Sequence, residues 1–368
     1  MKNLSTYVVA FALPCLALQG AEIPFYYDYG YPPPADYEGL DLGKLIVGAE
    51  WLYMKPAVDE NYFAEKTVFT PGSCGSISRI APDLNWDSGF RVHAGYALPF
   101  DQWTIDIAYT YFWTDASRSS HFTTDAPTTM GGIVPTLFND VLSFSDGNYN
   151  TTGNWKWQYN QLDIDFSRIS YLNRSVSLNP RAGFRFIWSQ QHLNSFFGFD
   201  PTAGGNALSV RTANKNELDG FGIKFGLDTT WDIGFCDLSL YGNFDYSVLY
   251  GCSRLRQDLY LTEVVPTVAS PFTQSLAFKS NPKTLKQMAT LDFGLQWIKD
   301  FNCYESFLIV KAGWEYIFFS GFNMLIARDA QDFTLEDFST GARAMPVSHT
   351  LRGDMGLYGL ILGADFYF

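Results

Sequence analysis

The sequence predicts an all-β fold, a transmembrane antiparallel β-barrel of about ten strands with short periplasmic turns and long external loops. Three observations carry that expectation. Ten segments alternate with period two, the connections between them alternate in length, and the chain is rich in aromatic rings while poor in charge. Its 368 residues include 22 Tyr, 32 Phe and 10 Trp, and charged residues make up only 17%. So many rings in so little charge need an apolar surrounding. The net charge of -13, without Lys or Arg clusters, excludes a nucleic-acid surface.

The amino terminus reads as an export signal over residues 1–21. Lys2 supplies a positive start, Tyr7 to Leu18 an apolar core, and Gly20 and Ala21 the small residues of a cleavage site. Gln19 and Glu22 end the apolar run short of the roughly 20 residues that a helical anchor needs. Pro14, where a lipoprotein signal wants a small residue, argues against lipidation at Cys15. Residues 22–42, with Tyr26, Tyr27, Tyr29, Tyr31 and Pro32 to Pro34, read as a periplasmic extension or plug in which the prolines take polyproline structure. The barrel itself is expected over 43–368.

The strands follow from alternation. Ile105, Ile107, Tyr109, Tyr111 and Trp113 form one apolar face, and Thr104, Asp106, Ala108, Thr110 and Thr114 lie on the other. Like segments are Lys44 to Met54, Gly89 to Leu98, Trp157 to Ser170, Ser177 to Ser189, Phe221 to Thr230, Asp237 to Tyr250, Gln287 to Lys299, Ser306 to Phe319 and Gly356 to Phe368. Each reaches the length of about 9 to 11 residues that a tilted strand needs to cross a bilayer.

Short turns are expected at Pro99 to Gln102, Leu172 to Ser175, Ile233 to Cys236 and Asp300 to Glu305. Long external segments are expected at Pro56 to Asn85, Ser117 to Asn154, Gln191 to Glu217, Gly251 to Lys286 and Gly321 to Asp354. A soluble sandwich also alternates, but rarely exposes five long loops at one end. Trp51 and Tyr53, Tyr111 and Trp113, Trp155 and Trp157, Tyr246 and Tyr250, and Phe366 and Phe368 are expected at the lipid interface. The last strand ends on Phe368, which resembles the signal read by barrel-assembly machinery.

With the apolar face toward lipid, the other face points inward. The inward acids are then Glu50, Asp106, Asp163, Asp165, Asp228, Asp237, Asp245, Asp292, Glu315 and Asp365, and the inward bases are Arg91, Arg181, Arg185, Lys224 and Lys311. All of these except Asp237 and Asp365 are the candidate pore-lining residues, with Arg181 and Arg185 expected to pair across strands with Asp163 and Asp165. A competing reading has the same charges fill the barrel as a packed core, since ten strands fall between a filled interior and an open channel.

Cys74, Cys236, Cys252 and Cys303 remain after export, and the periplasm permits disulfides. Cys236 and Cys303, at neighbouring short turns, are the candidate pair. No CxxC or Cys/His spacing suggests a metal, and no cofactor is expected. GxSxG, HExxH and GxxxxGK[ST] are absent. The enzyme alternative is an outer-membrane protease using His349 with Asp329, Asp332 or Asp354 at the rim, and the preferred expectation is no enzyme.

Several segments resemble the Legionella-type pore-forming major outer membrane proteins, also found in chlamydia-like bacteria. They are Gly48 to Pro56, Trp86 to Val92, the stretch from Trp155 through Asp163 and Asp165 to Gly183, and Lys311 to Glu315. The resemblance implies a porin-like barrel; the strands call for a lipid bilayer, Phe368 for the assembly machinery, and the inward charges for passive, weakly cation-selective passage of small hydrophilic solutes, with a homo-oligomer left open. A surface adhesin or structural envelope protein acting through its loops is the alternative.

Overall fold

The computed structural model describes residues 43–69, 75–98, 103–124, 130–136, 146–173, 175–202, 205–235, 237–266, 270–301, 306–329 and 347–368. The expected signal peptide and Tyr/Pro-rich extension, and Cys74, Cys236 and Cys303, lie outside these residues. In chain order the strands are β1 (Leu45–Val58), β2 (Ala64–Phe69), β3 (Ser76–Ile80), β4 (Asp87–Ala97), β5 (Trp103–Thr123), β6 (Met130–Pro135), β7 (Gly147–Arg168) and β8 (Ser170–Asn173). They continue as β9 (Val176–Pro201), β10 (Ala207–Phe235), β11 (Leu238–Val264), β12 (Phe272–Ser280), β13 (Lys283–Phe301), β14 (Ser306–Asp329) and β15 (Val347–Tyr367).

Ten long strands close on themselves. The order β10-β11-β13-β14-β15-β1-β4-β5-β7-β9 is completed by pairing of β9 with β10, and every pairing is antiparallel. Closure leaves no free edge among these strands, the condition for backbone to sit in hydrocarbon. The short β8 and β12 flank β9 and β11, and β3-β2-β6 forms a separate small sheet. Directly opposed residues run from Glu50 through Arg91, Thr110, Gln161, Ile187, Gly220 and Gly251 to Thr284. That row climbs from the ion-rich half of the interior toward the external end, the stagger that strand tilt imposes on a closed barrel.

The expected facing holds for β1, β5 and β15. Trp51, Ile107, Trp113, Leu360, Leu362, Phe366 and Phe368 are exposed on the outer wall. Three expectations fail. The segments Gln191 to Glu217 and Gly251 to Lys286 are largely strand, since β9, β10 and β11 run far past the lipid-facing band. Trp155 and Trp157 point inward and are fully buried rather than meeting lipid. Asp237, expected on an inward strand position, sits in the periplasmic turn at φ 56°.

The first two have one cause, a polarity inversion along the long strands, seen on β7 and β11. On β7 the outward Leu162, Ile164 and Phe166 oppose inward Asp163 and Asp165. Eight residues nearer the external end, the outward set becomes Asn154, Lys156 and Gln158 and the inward set Trp155, Trp157 and Tyr159. β11 changes likewise, from outward Phe244 and inward Asp245 to outward Arg254 and Arg256 and inward Leu255 and Leu259. On both of these strands side-chain direction keeps its phase. What changes is the medium outside, from lipid to water, so the apolar face must turn from the outer wall to the interior.

Leu360→Arg on the lipid wall should destabilise the barrel by about 2 to 4 kcal/mol near the midplane. Urea titration of protein folded into vesicles measures it, and an unchanged midpoint would refute the facing of β15.

Candidate functional site: an ion-paired interior

Each of the ten barrel strands sends at least one ionisable side chain inward. Glu50 comes from β1, Arg91 from β4, Asp106 from β5, Asp163 and Asp165 from β7, and Arg181 and Arg185 from β9. Lys224 and Asp228 come from β10, Asp245 from β11, Asp292 from β13, Lys311 and Glu315 from β14, and Asp365 from β15. In the low-dielectric interior each charge needs a partner, because desolvation costs several kcal/mol per ion.

One group of pairs centres on Arg91. Its guanidinium reaches Glu50 Oε2 at 2.6 Å and Glu315 Oε1 at 2.7 Å, while Nε donates to Thr110 Oγ1 at 3.1 Å. Lys311 Nζ then joins Glu50 (2.9 Å) to Asp365 (3.0 Å), and His93 Nε2 meets Asp365 Oδ1 at 2.8 Å. The other His93 nitrogen faces Asp106 at 3.8 Å.

The second group centres on Asp163. Arg185 holds it with two parallel bonds of 2.8 and 2.7 Å, the fork geometry that makes Arg–carboxylate pairs strong. Lys224 Nζ lies 2.8 Å from Asp163 and 2.5 Å from Asp165. Arg181 turns away toward Asp245 (2.8 Å) and Asp228 (3.1 Å). Of the expected cross-strand pairs, Asp163 with Arg185 forms, whereas Asp165 is held by Lys224. Direct opposition explains the difference: Asp163 faces Arg185 across the β7–β9 ladder, but Asp165 faces Gly183. Asp292, beside Glu315 in the ladder, takes hydrogen bonds from Tyr241 (3.2 Å) and Asn243 (3.1 Å).

Toward the external end large apolar side chains enter the interior, beside buried Thr114, Gln191, Asn214, Asn216 and Gln257. Leu52, Phe112, Trp157, Tyr159, Ile187, Leu249, Met288, Phe319 and Leu357 belong to one packed cluster of buried side chains. Trp157 packs edge-on to Phe319 at 5.8 Å and donates its indole N–H to Ser189 at 2.8 Å. Farther out, Phe63, Ile80 and Ile133 from β2, β3, β6 and their flanks pack with inward Tyr149, Phe197, Val210 and Leu259 as a second core.

β14 contributes a feature that alternation could not reveal. Its register with β15 shifts between Phe319 and Asn323, where Gly321 has φ 67°. Asp354 Oδ1 secures this bulge by accepting from Ser320 Oγ (3.2 Å) and Gly321 N (2.7 Å), and Lys286 Nζ donates to Gly321 O. Beyond it five successive residues, Phe322 to Ile326, are all buried, so both faces of the strand are covered. Side chains from non-adjacent strands cap its backbone: Asn216 donates to Phe322 O at 3.2 Å and Gln257 to Ile326 O at 3.0 Å. This half of β14 therefore leans into the lumen. Of the rim residues considered for peptide hydrolysis, Asp354 is thus engaged in the bulge.

The interior pairs predict a specific non-additivity. Arg185→Met, which leaves Asp163 with Lys224 as its one cation beside the Gln161 amide, should cost about 3 to 5 kcal/mol, and adding Asp163→Leu should restore most of that loss. Urea unfolding of the two single variants and the double variant checks this; simple additivity of the losses would contradict the pairing.

The family model described as Legionella pneumophila major outer membrane protein precursor matches residues 42–368. Among solved structures, the outer membrane protease OmpT of Escherichia coli is 10% identical, over 93% of this chain and 99% of that one, with a TM-score of 0.38. A Pseudomonas aeruginosa FadL homologue is 8% identical over 92% and 94% (TM-score 0.25), and the P. putida toluene transporter TodX is 7% identical over 88% and 89% (TM-score 0.18). No curated protein matches the sequence. With a closed ten-stranded antiparallel barrel and a family match over nearly its whole length, this chain belongs to the Legionella pneumophila major outer membrane protein family, and its place is the outer membrane.

Proposed function

We propose that the protein is a narrow porin-type channel for small hydrophilic solutes and ions, biased toward cations and closed in the conformation described here. The observation that carries this reading is the belt of ionisable side chains contributed by all ten strands at membrane depth. Ionisable residues inside a membrane are expensive, and they mark ion and solute paths more often than they serve stability. Glu50, Asp106, Asp163, Asp165, Asp228, Asp245, Asp292, Glu315 and Asp365 outnumber Arg91, Arg181, Arg185, Lys224 and Lys311. An acidic excess behind a low-dielectric wall concentrates cations. The bias is modest, because Arg181 and Lys224 already hold Asp245 and Asp165.

Closure comes from the apolar layer around Trp157 and Phe319 and from the inward half of β14, which together act as a hydrophobic constriction. A second reading is favoured by the continuation of β9, β10 and β11 into a dry external core: a sealed barrel that presents a rigid β-structured surface to partners outside the cell.

Planar-bilayer recording separates the two. The refolded protein should give small cation-selective currents that grow severalfold when Trp157→Ala and Phe319→Ala are combined. The selectivity should weaken as the Debye length falls from about 10 Å at 0.1 M salt to about 3 Å at 1 M. Silence from both well-folded proteins would favour the sealed surface barrel, and anion preference would overturn the proposed role of the carboxylates.

A further inference from the structure

The outer wall of β7 to β13 carries an arrangement that neither a channel nor a sealed barrel requires. Lys156, His192, Lys215, Arg256 and Lys279 stand directly opposite one another on five successively paired strands. In this row Lys215 with Arg256, and Arg256 with Lys279, are like charges directly opposed, which destabilises a sheet. The crowding has an effect on His192: burial and the flanking Lys215 and Lys156 hold its imidazole below the usual histidine pKa. Arg254 and Lys283 add to the same face.

Acidic neighbours offset part of this charge. Lys215 pairs with Glu217, Arg254 with Glu217 (3.2 Å) and Asp219 (2.7 Å), and Arg256 with Asp258 (2.8 Å), while Asp115 lies opposite Lys156. The six Lys and Arg still exceed these four carboxylates, on a chain whose net charge is -13. Lys156 and Lys283 are exposed, and among the described residues neither enters an ion pair.

A second observation lies just below. Phe186, Trp188, Phe221, Tyr250 and Cys252 line a shallow hollow of about 250 Å³ on the lipid wall, with Asp219 and Gly220 at its margin. His192 is four residues beyond Trp188 on β9, and Arg254 four beyond Tyr250 on β11. At about 3.3 Å per residue on tilted strands, that places the cations roughly 10 Å above the rings, at headgroup level. Lys283 stands directly opposite Cys252, bringing one exposed ammonium to the edge of the hollow.

We propose that this face binds one phosphorylated glycolipid of the outer leaflet, with an acyl chain against the hollow and phosphate groups among Lys156, His192, Lys215, Arg254 and Lys283. The chemistry that selects the partner is an anion joined to an apolar chain. The anion answers the local excess of cations, and the hollow takes the chain. Free phosphate satisfies only the first of these.

The test uses the refolded full chain in detergent, titrated with diphosphoryl lipid A and followed by native mass spectrometry. One lipid should remain bound to the wild type. Lys156→Gln combined with Lys283→Gln should weaken binding about 30-fold, taking roughly 1 kcal/mol per surface cation. Both positions are exposed, and unchanged heat-resistant migration confirms that the variant folds. Lipid A stripped of its phosphates should bind far less, and millimolar inorganic phosphate should not displace the intact lipid. Equal binding by wild type and variant, equal binding of the two glycolipids, or full displacement by phosphate would each overturn the proposal. None of these outcomes depends on whether the barrel conducts.

Discussion

Everything in this molecule depends on closure of ten strands in lipid. Once the backbone is satisfied by its own ladder, each strand has one face for hydrocarbon and one for an interior only a few side chains wide. Ionisable groups on that inner face cannot all reach bulk water, so they must satisfy one another. Arg185, buried to 1% exposure, therefore spends its guanidinium on Asp163, and Lys311 joins Glu50 to Asp365. Such networks are weak evidence for stability in themselves, since apolar replacements of similar volume often do as well. Their presence on all ten strands is what gives the functional reading its basis.

The same closure explains why the barrel carries two kinds of interior. Inside the membrane the apolar surface is already assigned to lipid, and polar groups fill the lumen. Outside the membrane the wall meets water, and the hydrophobic effect acts inward as in a soluble protein. Trp155, Trp157 and Tyr159 then become core residues on the same strand that buries Asp163 and Asp165. The external end is thus a continuation of the barrel around an apolar cluster, and the bulge at Gly321 lets β14 complete its packing from within.

Much of this was legible in the sequence because period two is a strong local signal. The facing of β1, β5 and β15, and the inward position of residues such as Glu50, Asp163 and Arg185, follow from counting by twos. Alternation gives phase but not medium. The run Asn154-Trp155-Lys156-Trp157-Gln158 reads equally well as rings toward lipid or rings toward a core, and only the position of the membrane surface decides. Long external loops were expected where the chain is polar on one face, yet that polarity is the wetted side of a continuing strand. The inward half of β14 was hidden for another reason: a bulge erases the period, and Phe322 to Ile326 are buried on both faces. Partner choice within the ion network was legible only in part, because Lys224 and Arg181 reach residues that are not their direct opposites.

The central claim is that Trp157 sits in a dry, lipid-free layer that closes the lumen above the ion-paired belt. The most direct measurement compares the tryptophan emission of wild type and Trp157→Phe in vesicles, with acrylamide as aqueous quencher and brominated lipid as membrane quencher. The account predicts that the emission lost in the variant is blue-shifted and protected from both quenchers. Quenching of that component by acrylamide would mean a water-filled lumen at this level, and quenching by brominated lipid would mean that the ring faces the membrane; either result would contradict the account.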